Sequence, residues 1–202
     1  MPADIGALKN PYEALWDPAY KNKTAVIDDW HTAMAMVLLR NGIDDINTTD
    51  PKDIALMRDQ LLEMRHTMKP RVTIGMYTEM PAGQYGLCQM WSGDAINLPY
   101  YLPDKTSPDI LRFWFPPDGK GEGDNDLVVC LAQGENPVAA HFFVNELLDP
   151  DVAGRNFGFT GYQPPLNQFT PDRLVADGYV PENLITAIVR KHDFDTGVPL
   201  LQ

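Results

Sequence analysis

One stretch constrains the fold more than any other: Asn136-Pro137-Val138-Ala139-Ala140-His141-Phe142-Phe143-Val144-Asn145-Glu146-Leu147-Leu148-Asp149-Pro150-Asp151-Val152-Ala153. It reads as a short helix, a stop and a second helix start. An aromatic turn follows, Gly158-Phe159-Thr160-Gly161-Tyr162-Gln163-Pro164-Pro165. Upstream, short apolar runs alternate with helical spacing. Thr24 to Asp28 reads as a strand that ends at Asp28-Asp29, where a helix over Trp30 to Arg40 begins. Asn41-Gly42 closes that helix, and Thr48-Thr49-Asp50-Pro51 starts the next, with proline in its first turn. Further strands are expected at Arg71 to Met76, Gly86 to Trp91, Ile110 to Phe115 and Asp126 to Ala132, with a short helix around Gln84. After Pro165, helical turns are expected at Pro171 to Ala176 and near Pro181, then an apolar run at Ile185 to Val189. Strands alternating with helices make an α/β chain.

Charge narrows the partners. The 202 residues carry a formal net charge of −12. Nucleic acid is excluded as a partner, because its phosphates need Lys and Arg to neutralise them. A cationic ligand is compatible, though solubility alone explains an acidic surface. No run of about 18 apolar residues suggests a membrane span. The start, Met1-Pro2-Ala3-Asp4-Ile5-Gly6, has neither the basic region nor the apolar core of a secretion signal.

Catalytic and metal motifs are thin. No Gly-x-Ser-x-Gly, phosphate-binding glycine loop or His-Glu-x-x-His occurs, and His31, His66, His141 and His192 lack ligand spacing. Cys88 and Cys130 sit in apolar, strand-like runs and read as buried free thiols, with one disulfide as the lesser reading. The loop Asp118-Gly119-Lys120-Gly121-Glu122-Gly123-Asp124-Asn125-Asp126 superficially resembles a calcium loop. It places Lys third and lacks the closing Glu, so a flexible solvated turn is the better reading. The chain is therefore expected to be neither an enzyme nor a cofactor protein. An α/β hydrolase or transferase, and an acidic docking domain for a basic partner, stay as alternatives.

Binding is better supported. Asp28 and Asp29 lie where a strand hands over to a helix, and ligands of open α/β sheets gather at strand carboxyl ends. One of them also suits the helix N-cap. Trp91 closes an apolar run, Asp126 opens another after the glycine loop, and Tyr162 sits in a rigid Gly-Tyr-Gln-Pro-Pro turn. Two carboxylates and two aromatics at element ends form a box suited to a small ammonium ligand.

These pieces carry a resemblance. Tyr12-Glu13-Ala14-Leu15-Trp16-Asp17-Pro18-Ala19-Tyr20-Lys21-Asn22-Lys23, Asp28-Asp29, Asn47-Thr48-Thr49-Asp50-Pro51, Met90-Trp91-Ser92-Gly93-Asp94-Ala95, the helix pair and Gly161-Tyr162 follow one another in an order similar to the spermidine/putrescine-binding proteins of bacterial ABC transporters. The resemblance runs from about Asn10 to about Gly161. It implies a type 2 periplasmic-binding-protein-like α/β fold with a mixed sheet flanked by helices, the first lobe largely missing. It divides the chain into a second-lobe domain over 1–125, a crossover strand with helices over 126–170, and a return segment over 171–202. It implies no cofactor, an extracytoplasmic location, a polyamine ligand and a membrane permease as partner. By position, it places Asp29, Trp91, Asp126 and Tyr162 at the ligand, with Asp28 and Asp124 as weaker candidates. The same fold could instead serve an aminophosphonate, iron or another amine.

Two departures qualify what is implied. Where the family has a tryptophan two residues before the acid, this chain has Asp124. The chain also resembles an excised second lobe, presenting half a cleft. Weak polyamine affinity and self-association through uncovered apolar surface are then expected.

Overall fold

The computed structural model describes residue 8 and residues 10–199, apart from the side chain of residue 194. The stretch Met1–Gly6 and the end of the return segment at 200–202 lie outside the described residues.

The fold is built around strand β1 (Thr24–Ile27), all four of whose residues are buried. Such a continuous apolar run is what a central parallel strand requires, since both its faces are covered. It pairs in parallel with β2 (Arg71–Thr73) on one side and β3 (Leu87–Cys88) on the other. From β1 the chain turns into α1 (Trp30–Arg40), then α2 (Pro51–Thr67), before returning as β2. Both helix starts are set by aspartates. Asp29 accepts from the Thr32 amide at 3.0 Å, and Asp50 accepts from the Lys52 amide at 2.8 Å ahead of Pro51.

Ala35, Met36, Val37 and Leu38 of α1 pack with Met57, Met64 and Met68 and with Leu15, Trp16 and Val26 into one core. Arg40 closes its edge, 4.1 Å over the Trp16 ring, with its guanidinium held by both oxygens of Glu13. A second core gathers around α4 (Ser92–Asn97), α6 (Pro150–Thr160) and α7 (Pro171–Ala176), with Phe157, Leu174, Leu184 and Ile188 all but fully buried. Between the two, Ala25, Ile27, Met76 of α3 (Met76–Glu79) and Tyr85 form a small bridge.

Both helices expected from Asn136 onward are present, α5 (Pro137–Leu147) and α6, with Asp149 capping α6 through the amides of Asp151 and Val152. The helical turns after Pro165 are present too, as α7 and a 3-10 helix at Glu182–Ala187. A last helix, α8 (Lys191–Thr196), leads into β5 (Val198–Pro199), which pairs in parallel with β4 (Glu122–Gly123).

Several expectations are corrected. No strand forms over Ile110 to Phe115, which is a 3-10 turn and then irregular chain, nor over Asp126 to Ala132. The latter is apolar, but a strand needs a partner for its amides and carbonyls, and it has none among the described residues. Leu127, Val129 and Leu131 are 81%, 74% and 78% exposed. The expected strands at Arg71 to Met76 and Gly86 to Trp91 shrink to three and two residues, and the region around Gln84 is a turn. Without the later strands the sheets are parallel rather than mixed. Cys88 is half-buried and Cys130 exposed, and both are free thiols, so the pair neither bonds nor is buried throughout.

Candidate functional site

A broad cleft of about 2190 Å³ opens between the two main cores. Tyr12, Leu15 and Met36 line it from the first core, and Leu111, Leu166 and Ala187 from the second. Asp29, Trp91, Asp126 and Tyr162 all face this one hollow, although they are far apart in the chain. Asp124 lines it as well, whereas Asp28 is exposed and does not.

Each side chain is placed by local chemistry. Asp29 sits at the α1 N-terminus, where capping spends one carboxylate oxygen on the Thr32 amide. Trp91 precedes α4 in extended backbone, which throws its ring off the helix end. Tyr162 follows the left-handed C-cap Gly161 (φ 76°) of α6. That cap packs so tightly on α4 that a Cβ on Gly161 would run into the Gly93 carbonyl, and a Cβ on Gly93 into the Tyr162 ring. The two glycines thus let α4 and α6 clamp the tyrosine. Its hydroxyl donates to Asp94 Oδ1 at 3.2 Å. Burial, then the Asp94 charge and the hydrogen bond to it, then the Asp126 charge, all push the Tyr162 hydroxyl up, so it stays a neutral donor. Asp94 is itself raised by burial, against the opposing effect of the Tyr162 hydrogen bond.

Residues that the sequence reading passed over complete the cleft. The loop 118–126, expected to be a solvated turn, is instead docked. Lys120 Nζ meets Asp44 Oδ2 at 2.7 Å, β4 pairs with β5, and Glu122 Oε1 accepts from Thr32 Oγ1 at 2.8 Å. Burial, with added repulsion from Asp29 and Asp124, raises the Glu122 carboxyl to about 7. Beside it, Tyr12 and Trp114 meet edge to face at 5.3 Å between ring centroids, and both line the cleft. Burial raises the Tyr12 hydroxyl, with the charges of Glu122 and Asp118 adding to it. Position 124 carries no aromatic, but Trp114 brings an indole to the same hollow from another segment. Trp114 lay inside an apolar run that reads as a strand, and Glu122 inside a glycine loop. Their only sequence signals were a tryptophan between two phenylalanines and a lone acid flanked by glycines.

Carboxylates together with indole and phenol rings lining one hollow are chemistry for an organic cation. Among the described residues no cluster of His, Cys, Asp or Glu has the geometry of a metal site. No helix of the described residues is long and apolar enough to cross a membrane.

The sequence is similar to proteins of that binding class. The spermidine/putrescine-binding periplasmic proteins of Salmonella typhimurium and Escherichia coli are each 28% identical to it over 151 residues, which is 75% of this chain and 41% of theirs. The spermidine/putrescine-binding periplasmic protein 1 of Haemophilus influenzae is 26% identical over 148 residues, 73% of this chain and 39% of that protein. The chain thus spans about two fifths of the length of the curated relatives it matches. No family model matches it, and no solved structure does.

Proposed function

We propose that this chain supplies part of the substrate-binding component of an ABC importer, working outside the cytoplasm and holding a polyamine such as spermidine or putrescine for delivery to a membrane permease. The observation that carries this reading is the convergence of Asp29, Trp91, Asp126 and Tyr162 on one cleft, in a chain whose relatives are named for polyamine binding. An ammonium group gives up water on entering such a cleft and needs a carboxylate in return. Asp29 and Asp126 meet that need, while Trp91 and Tyr162 lie along the methylenes and add cation–π attraction of about 0.5–2 kcal/mol each. No bond is made or broken.

The chain covers about two fifths of its relatives' length, and the remaining length would add further contacts to the ligand. Affinity of the chain alone is accordingly weak. Spermidine at millimolar concentration should shift the ring resonances of Trp91 and Tyr162 in an NMR titration, and a neutral diol of the same length should not. Equal shifts with both compounds, or none with either, would refute the reading. Asp126→Asn should weaken spermidine more than the neutral analogue, and equal losses would remove the electrostatic part of the argument.

A further inference from the structure

We propose that Glu122 is an ammonium-pairing carboxylate of this cleft, and that capturing a polyamine there displaces a proton from it into solvent. The inference rests on the reading of the cleft as a polyamine site, and adds a residue and a pH dependence to it.

Geometry comes first. Glu122 is pinned by two independent contacts: the Thr32 hydroxyl at 2.8 Å and the backbone pairing of β4 with β5. The hydroxyl holds the carboxylate, and the strand pairing fixes the backbone that carries it. Asp29 and Asp124 face it with like charge, and both line the cleft. Lys120 on the same loop is engaged with Asp44, and among the described residues Arg112, Arg190 and Lys191 also line the cleft, Lys191 being paired with Asp195. From the 3-10 turn Pro11–Trp16 comes only the neutral Tyr12, and the paired strand β5 brings Val198 and Pro199, which carry no charge. On α1, His31 lines the cleft with its ring stacked on Trp30 at 3.3 Å.

Burial disfavours the charge of this carboxylate, and the charges of Asp29 and Asp124 add to that, so its titration is raised to about 7 against the opposing Thr32 hydrogen bond. An ammonium group entering beside it offers the alternative relief. It pairs with the carboxylates, which lowers the titration of Glu122, and the proton leaves. Polyamine ammonium groups titrate in the range of lysine, so at neutral pH the ligand arrives fully charged and the released proton comes from the protein.

The test is calorimetry of putrescine binding to the 202-residue chain, repeated in buffers of different ionisation enthalpy. At pH 7 about half a proton should be released per bound ligand through Glu122, falling toward zero at pH 9. Below pH 6 the affinity should weaken by up to about tenfold per pH unit. Glu122→Gln keeps the oxygen that accepts from Thr32, so it should fold, yet lose the proton release. Residual release in that variant that vanishes on His31→Gln, with none lost through Glu122→Gln, would assign the linkage to the histidine and overturn the inference. Binding with no proton release at pH 7 would overturn it and leave the cleft assignment standing. No putrescine binding by calorimetry or NMR would overturn both.

Discussion

Two stretches of this chain are about equally apolar and fare in opposite ways. In β1 and α1, Ala25, Ile27, Ala35, Met36, Val37 and Leu38 are all at most 2% exposed. In the stretch after Asp126, Leu127, Val128, Val129 and Leu131 are each more than 60% exposed, and Val138, Phe142 and Phe143 of α5 continue the exposed surface. The difference lies in partners. β1 has a strand on either side and two helices above it, so its backbone groups are satisfied and its side chains covered. Among the described residues, the later stretch has neither. Apolar composition tells where a chain wants cover, and only the rest of the fold tells whether cover is supplied.

The sharpest way to break that comparison is to truncate inside the covered region. Leu38→Ala removes a side chain with no exposed surface and leaves a cavity beneath Trp16 and the α2 methionines. We expect a loss of about 3–4 kcal/mol in urea unfolding. A loss below 1 kcal/mol would mean the first core is loose and that its burial says little about stability. Next comes the clamp between α4 and α6. Gly161→Ala meets both the left-handed backbone and the Gly93 carbonyl, so α6 must shift from α4. The expected cost is about 2–3 kcal/mol, with a changed environment for the Tyr162 ring by NMR. An unperturbed Tyr162 would show that the clamp does not position it.

Glu122→Gln should act in the other direction. The folded protein holds the Glu122 proton up to about pH 7, whereas the unfolded chain releases it near the ordinary value of 4.5. Between those two values the folded state binds more protons, so this residue's contribution to stability is present at low pH and lost as pH rises. Removing the charge should raise stability at pH 7.5 by about 1–2 kcal/mol and leave it unchanged at pH 4. Thermal unfolding at the two pH values checks this. An equal gain at both would point to packing rather than charge.

What could be read from the sequence divides along the same line. The starts of α1, α2 and α6 were legible because an aspartate caps each helix end, with a proline after it in α2 and α6, and that chemistry is local. β1 was legible because its burial shows as an unbroken apolar run. The expected strand at Asp126 to Ala132 had the same signature, but strand formation depends on a neighbour that no local pattern reports. The site divides similarly. Asp29, Trp91 and Tyr162 stand at element ends, where sequence patterns are informative, and they share the cleft with Asp126, which lies in irregular chain. Glu122 and Trp114 were missed because their importance comes from contacts across the fold: Thr32 lies 90 residues from Glu122, and Tyr12 meets Trp114 from near the other end of the chain.

The smallest expected effect tests the uncovered side of the comparison. Val129 is 74% exposed, so Val129→Ala removes methyl groups that already face water. It should change unfolding free energy by less than about 0.5 kcal/mol, against several for Leu38→Ala. The surface it belongs to is still costly in another way, because contiguous apolar residues in extended chain attract their like. Val129→Lys should therefore leave stability unchanged while lowering self-association in sedimentation velocity at high protein concentration. If Val129→Ala instead cost more than 1 kcal/mol in the isolated chain, Val129 would have a covering partner in solution. The contrast between the two stretches would then be one of degree and not of kind.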